Sequence, residues 1–206
     1  MPVRLFLIRH GETESNRRGL ALGRADVPLN ERGRWQAGRL AAALVAEPLV
    51  AVYSSPLSRA LDTARPIAGA LGLEVRTESG LQEMDIGEAE GLTFAEVRAR
   101  FPGLLEAWAG ADGPSHAMPG GERLVDVQAR AWDTIQAIAA RHAEEAVCVV
   151  THNFVILSIL TTVLGIELAN FRRLRHSVAA VSVLEFRPGR ARVLTLNDTC
   201  HLDAAG

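Results

Sequence analysis

The sequence predicts an α/β protein: a three-layer α/β/α sandwich around a central, mostly parallel mixed sheet, with a small helical cap. Three observations carry this. Apolar runs at residues 3–8, 49–53 and 146–150 have the length and unbroken hydrophobicity of strands buried on both faces. Each is followed, after a polar break, by a segment of helical periodicity, the βαβ rhythm of a parallel core. Two further β-rich runs, 179–186 and 190–196, flank Arg187-Pro188-Gly189 and read as an antiparallel hairpin. At 206 residues the chain can bury a sizeable core, and nothing in its middle resembles a linker, so 1–206 is expected to be one domain.

Taken in order, the first strand stops abruptly on Arg9-His10-Gly11 and gives way to a polar, Gly- and Arg-rich loop at 11–29 that contains Asn16. Asn30 can cap a helix running to about Leu44, whose Ala37, Leu40, Ala41 and Leu44 share one face. The second strand ends on Ser54-Ser55-Pro56, and the helix after it, about 57–71, carries Arg59 in its first turn and Pro66 where a kink or break is expected. A short strand at 74–77 leads into an acidic loop at 81–91. Thr93 and Glu96 form a capping box for a helix whose Phe94, Val97 and Phe101 share a face, and Pro102 ends it. With a second short helix at about 104–109, these segments form the cap, an insertion spanning about 80–121. The stretch 122–142 is amphipathic, with Asp126 and Arg130 spaced as an i,i+4 pair. The third buried strand stops on Thr151-His152, and an apolar helix begins at Asn153.

Composition excludes several chemistries. All 22 basic residues are Arg, so no P-loop lysine, Schiff-base lysine or pyridoxal phosphate site is available. A formal net charge of −2 offers no field for nucleic acid or anionic membrane, and the expected partner is a small molecule. Cys148 and Cys200 form no CxxC pair, which with the absence of a signal-peptide pattern or an apolar run long enough to span a bilayer points to a reduced, cytoplasmic protein.

In a parallel sheet the carboxyl ends of the strands share one edge, so Arg9, His10, Arg59 and His152 are expected to converge there. Helices starting near Leu57 and Asn153 would aim free N–H groups at the same edge. Two Arg, two His and helix N-termini suit a phosphoryl dianion. His10 and His152 could instead bind a metal, but two nearby guanidinium groups oppose a divalent cation and no HxxxH or HxH pair is present, so neither metal nor cofactor is expected. The chemistry this suggests is in-line attack by His10 on phosphorus, with Arg9, Arg59 and a protonated His152 neutralising the equatorial oxygens. Glu83 is the candidate acid for the leaving alcohol, with Asp85, Glu88 and Glu90 close by as competitors.

At this point the sequence resembles the histidine phosphatase superfamily, which includes the cofactor-dependent phosphoglycerate mutases. Arg9-His10-Gly11-Glu12-Thr13 with Asn16 matches the signature loop, and Ser54-Ser55-Pro56-Leu57-Ser58-Arg59-Ala60 the second Arg segment. The segment from Leu81 to Gly87, through Glu90-Gly91, matches the acid loop; Gly120-Gly121-Glu122 precedes the next helix as in the family, and Val150-Thr151-His152 supplies the second histidine. The resemblance implies a phosphorylated His10, a phosphate pocket of Arg9, Arg59 and His152, a proton donor in Glu83, and Asn16 at the phosphate or substrate. Asn16 as a loop cap is an equally good reading. Asn153 stands where the family has Gly and is placed among the substrate-binding residues. The tail from Leu196 to Leu202 resembles that of metal-independent phosphoserine phosphatases, which would make His201 a substrate contact; a packed terminal strand is the alternative.

The expectation is therefore a metal-independent phosphomonoesterase acting on a small metabolite such as phosphoserine, a phosphoglycerate, a sugar phosphate or a nucleoside phosphate. A phosphoglycerate mutase and a non-catalytic phosphate-binding protein are the rivals. The compact acid loop, Glu83-Met84-Asp85-Ile86-Gly87, favours hydrolysis over the mutase. Exposed strand edges and the hairpin are compatible with a homodimer.

Overall fold

A computed structural model describes residues 2–187 and 189–203. Six strands form one sheet in the order β3-β2-β4-β1-β5-β6: β1 (Val3–Arg9), β2 (Leu49–Ser54), β3 (Val75–Thr77), β4 (Ala146–Thr151), β5 (Val181–Arg187) and β6 (Arg190–Asp198). The first four strands run parallel, while β5 is antiparallel to β1 and β6 to β5. This is the mixed, mostly parallel sheet expected. Pro188, within the expected hairpin turn, lies outside the described residues.

Alternation along β1 builds both layers of the core. Leu5 and Leu7 face α6 (Leu124–Arg141) and α7 (Asn153–Leu164), meeting Val127, Ile135 and Ile159. Phe6 and Ile8 face α2 (Glu31–Leu44) and α3 (Ser58–Leu71), meeting Leu40, Ala64 and Ile67. Central strands covered on both faces have no polar side to show, which is why their sequences read as continuous apolar runs.

Asn30 caps α2, its side chain accepting from the Gly33 N–H at 2.8 Å. Helix α3 continues through Pro66, so the proline does not divide it. Pro66 lies on the exposed side of the helix, where water can satisfy the Asp62 carbonyl that the missing N–H leaves free. Within the 11–29 loop, a one-turn helix α1 (Glu14–Arg18) is capped by Thr13.

Between β3 and α6 come three 3₁₀ turns, α4 (Phe94–Arg100) and α5 (Leu104–Ala109), and Leu81, Met84, Ile86, Val97 and Trp108 of this stretch extend the α6/α7 core layer. The Thr93/Glu96 capping box is present. Phe94, expected on the buried face with Val97, is instead 72% exposed: only Val97 is carried inward by this two-turn helix. The anticipated Asp126–Arg130 pair does not form. Asp126 pairs with Arg123, and Arg130 turns back towards the acid loop. Among the described residues no helix is long and apolar enough to cross a membrane.

Candidate active site

Parallel pairing places the ends of β1, β2 and β4 side by side, with Arg9 opposite Thr151 and Ser54 opposite Val150. The residue just after β1, His10, still donates its backbone N–H to the Thr151 carbonyl at 3.0 Å. His10, Arg59, Glu83 and His152 are all buried, and the rings of His10 and His152 lie with centroids 5.1 Å apart.

His10 Nδ1 sits 2.7 Å from the Gly11 carbonyl oxygen. A carbonyl only accepts, so Nδ1 carries the proton and Nε2 keeps its lone pair. Burial, followed by the charges of Arg59 and Arg9, holds the ring well below the ordinary imidazole value, which keeps His10 neutral. The turn behind it is tight: a Cβ on Gly11 would lie 2.7 Å from the Gly33 carbonyl oxygen, and the Gly11 N–H donates to Thr63 Oγ1 on α3 at 2.9 Å.

Arg9 Nη1 donates to the His176 carbonyl at 2.6 Å and to Asn153 Oδ1 at 3.1 Å. Burial lowers its guanidinium to about 10, against the opposing pull of Glu83. Arg59 is fully buried and donates through Nη2 to the Gly23 carbonyl at 2.5 Å and through Nη1 to the Ala25 carbonyl at 2.8 Å. His152 caps α7 with extended backbone, and its Nε2 lies 2.7 Å from Ser55 Oγ, which itself accepts from the Leu57 N–H. Three members of this cluster have buried polar atoms with no protein partner: Arg9 Nε, Arg59 Nε and His152 Nδ1. Buried donors left unpaired cost free energy unless an acceptor meets them, and the oxygens of a phosphoryl group are acceptors of that kind.

His152 differs from expectation in its charge. Burial first, then Arg59, His10 and Arg9, hold it well below the ordinary value, so it stands neutral here rather than protonated. Two guanidinium groups already supply the positive potential, and a third cation would be buried against them. At each of the two helix N-termini one N–H is taken by the protein's own carboxylate: the Ser58 N–H of α3 donates to Asp26 Oδ1 at 2.7 Å, and the Phe154 N–H of α7 to Glu83 Oε2 at 3.3 Å.

Glu83 Oε1 accepts from its neighbour's N–H, Met84, at 2.9 Å. Burial pushes its carboxyl above the ordinary value, opposed by those two N–H donors and by Arg59 and Arg9. Its three competitors are otherwise engaged. Asp85 Oδ1 accepts from the Gly87 N–H, Glu88 pairs with Arg100 at the surface, and Glu90 accepts from two backbone N–H groups of the 11–29 loop.

Asn16 closes the capping box of α1, its Oδ1 accepting from the Thr13 N–H at 3.1 Å, the loop-cap alternative of the sequence reading. Asn153 orients Arg9. His201 lies in a 3₁₀ turn (Cys200–Leu202) whose carbonyl accepts from Arg39 Nε of α2 at 2.9 Å, and the charges that bear on it are those of Asp198, Arg39 and Asp203 rather than those of the cluster. His176 also belongs to the site although its sequence context does not point there: beside Arg172, Arg173 and Arg175 it reads as part of a solvated basic face. It is buried, its carbonyl braces Arg9, and burial with Arg9 lowers its imidazole to about 4. Among the described residues no group of three or more His, Cys, Asp or Glu side chains is placed to hold a metal ion.

The profile of the histidine phosphatase superfamily (branch 1) matches residues 5–199. The chain belongs to this superfamily. Among its histidine phosphatase relatives, phosphoserine phosphatase 1 of Hydrogenobacter thermophilus is 36% identical over 201 residues, which is 97% of this chain and 94% of the relative. A bifunctional protein of Mycobacterium tuberculosis is 38% identical over 203 residues, and there the chain spans only 55% of the relative's length. The structure of mycobacterial glucosyl-3-phosphoglycerate phosphatase superposes with a TM-score of 0.87 at 30% identity, covering 97% of this chain and all of the other. Family and relatives together make the chain a phosphatase, and its mixed sheet with helices on both sides is the histidine phosphatase fold.

Proposed function

We propose that this phosphatase hydrolyses a small phosphomonoester without a metal, passing the phosphoryl group through His10. The observation that carries the reading is the state of His10: a neutral imidazole whose Nδ1–H is fixed on the Gly11 carbonyl, leaving the Nε2 lone pair free beside Arg9, Arg59 and His152. The positive charge that a metal would bring is supplied by the two guanidinium groups.

In this scheme Nε2 attacks phosphorus, the P–O ester bond breaks, and the Glu83 carboxyl gives its proton to the departing alkoxide. Glu83, now a carboxylate, takes a proton from water as that water attacks the phosphohistidine; the P–N bond breaks and inorganic phosphate leaves. Arg9, Arg59 and the orphaned His152 Nδ1 meet the equatorial oxygens throughout. Asn16 and His201 enter as candidates for contacts to the remainder of the substrate, and Asn153 as a contact acting through Arg9. The relatives' names put phosphoserine and glucosyl-3-phosphoglycerate on the substrate panel beside other sugar and nucleoside phosphates.

The test is phosphate release from that panel in chelator, wild type beside His10→Ala, with a parallel assay of 3-phosphoglycerate to 2-phosphoglycerate interconversion. Release that is lost in His10→Ala supports the reading. Interconversion with little release would make the chain a mutase, and silence in both assays would overturn catalysis of either kind.

A further inference from the structure

Arg59 reaches the catalytic cluster from the first turn of α3, yet among the described residues no side chain hydrogen-bonds its guanidinium. Both terminal nitrogens donate to backbone carbonyls, those of Gly23 and Ala25. The N–H groups of the same two residues donate to a single carboxylate, Gly23 to Glu90 Oε1 at 2.8 Å and Ala25 to Glu90 Oε2 at 3.2 Å. A three-residue ribbon is thus gripped on its N–H side by an anion and on its C=O side by a cation, with charge-assisted bonds on both sides. The ribbon has no slack. Gly23 is buried, and a Cβ there would lie 2.7 Å from both Met84 O and Ile86 Cγ1, and 3.0 Å from Glu90 Oε2.

We propose that Glu90 is a positioning residue for phosphoryl binding: by holding the Gly23–Ala25 ribbon it fixes where Arg59 stands. It makes no hydrogen bond to Arg59; beyond the pull of its charge on the guanidinium it acts through the ribbon's carbonyls. Without it the buried Gly23 N–H loses its acceptor, the ribbon is free to shift, and the two carbonyls that aim Arg59 shift with it. Glu83 and Glu90 then divide the acid loop's work, one carboxylate for the proton and one for the geometry of the cation.

The proposal rests on the reading that Arg59 holds the phosphoryl group, and a double-mutant cycle separates the two. Wild type, Glu90→Ala, Arg59→Ala and the double variant are compared for kcat and KM with p-nitrophenyl phosphate, and for competitive inhibition by inorganic phosphate. Glu90→Ala should lower kcat/KM on the order of 10- to 100-fold, the scale of a misplaced catalytic group, and weaken phosphate inhibition in parallel. In the Arg59→Ala background it should do neither, because the group it positions is gone. Equal losses in both backgrounds, or no loss in the wild-type background, would overturn the positioning role. Full activity in Arg59→Ala would instead overturn the reading on which the proposal rests. Glu90→Gln, nearly isosteric, guards against a variant that fails to fold. Its amide offers one acceptor for two N–H groups, so it should show a smaller loss that also vanishes without Arg59, and a loss persisting there would count against the proposal.

Discussion

The imidazole rings of His10 and His152 stand with centroids 5.1 Å apart and planes tilted by 55°, and burial keeps both neutral between two guanidinium groups. One ring spends its proton on a carbonyl and keeps a lone pair; the other rests on Ser55 and keeps an unpartnered Nδ1. A nucleophile and a hydrogen-bonding group for its target follow from the same pair. Replacing His152 by Ala should leave His10 intact but remove one contact to the transferring group, lowering kcat by roughly 10²–10³. Steady-state kinetics on an aryl phosphate checks this, and an unchanged kcat would remove His152 from the site.

Glu83 and His10 are displaced in opposite directions, the carboxyl upward and the imidazole downward, each mainly by burial. A protonated Glu83 and a neutral His10 therefore coexist on the acid side of neutrality, where kcat should peak. Glu83→Gln should remove the alkaline limb of that profile. It should lower kcat/KM for phosphoserine, which reports formation of the phosphohistidine, by about 10²–10⁴ while affecting kcat/KM for p-nitrophenyl phosphate much less, because a good leaving group needs no proton. Equal losses of kcat/KM on the two substrates would argue against Glu83 as the acid.

Arg130 donates to the carbonyls of Gly80, Gln82 and Glu83, and Glu122 binds Arg130, Arg24 and the Asp85 N–H. The acid loop hangs on this pair. Glu122→Ala leaves two partly buried cations without their counter-charge and the Asp85 N–H without its acceptor, and should cost about 1–3 kcal/mol of stability in urea unfolding, with a fall in kcat.

Gly33 faces the Glu12 backbone so closely that a Cβ would lie 2.1 Å from its carbonyl oxygen. Gly33→Ala pushes helix α2 away from the loop that carries His10. A destabilisation of about 1–3 kcal/mol is expected from the overpacking, measurable as a lowered urea midpoint.

His176 is held at about 4 in the folded protein, against about 6.5 for an unfolded imidazole. As pH falls from about 6.5 to 4 the unfolded chain gains a proton that the folded chain refuses. The unfolded state thus binds more protons in that window, and stability drops as pH drops, by on the order of 3 kcal/mol over its full width. His10 and His152 act in the same sense; Glu83, with its raised carboxyl, acts in the opposite one, favouring the fold where it is protonated. Urea midpoints at pH 7.5 and pH 5 should differ less for His176→Gln than for wild type, and an equal difference would contradict this.

The strands, the helices and the convergence of Arg9, His10, Arg59 and His152 were legible because βαβ topology fixes where strand ends meet, whatever the side chains do there. What was not legible depends on contacts between distant segments. Arg130 has Asp126 at helical spacing, but three carbonyls of the acid loop compete better for its guanidinium than one exposed carboxylate. His176 stands among three arginines in sequence, and only the fold turns its carbonyl onto Arg9, 167 positions away. Phe94 shares a helical face with Val97, yet a helix of two turns can bury one position and expose the other. Protonation followed the same pattern: sequence spacing brought His152 beside the arginines, while its neutral state required knowing that all of them are buried.

The central claim is that the phosphoryl group passes through His10. The most direct measurement is rapid acid-free quenching of the enzyme with ³²P-labelled substrate, followed by mapping of the label. An acid-labile, base-stable phosphoryl group on His10, formed at a rate no slower than turnover and missing from His10→Ala, is the predicted result. Turnover without any labelled enzyme, or a His10→Ala variant that hydrolyses as fast as wild type, would contradict it.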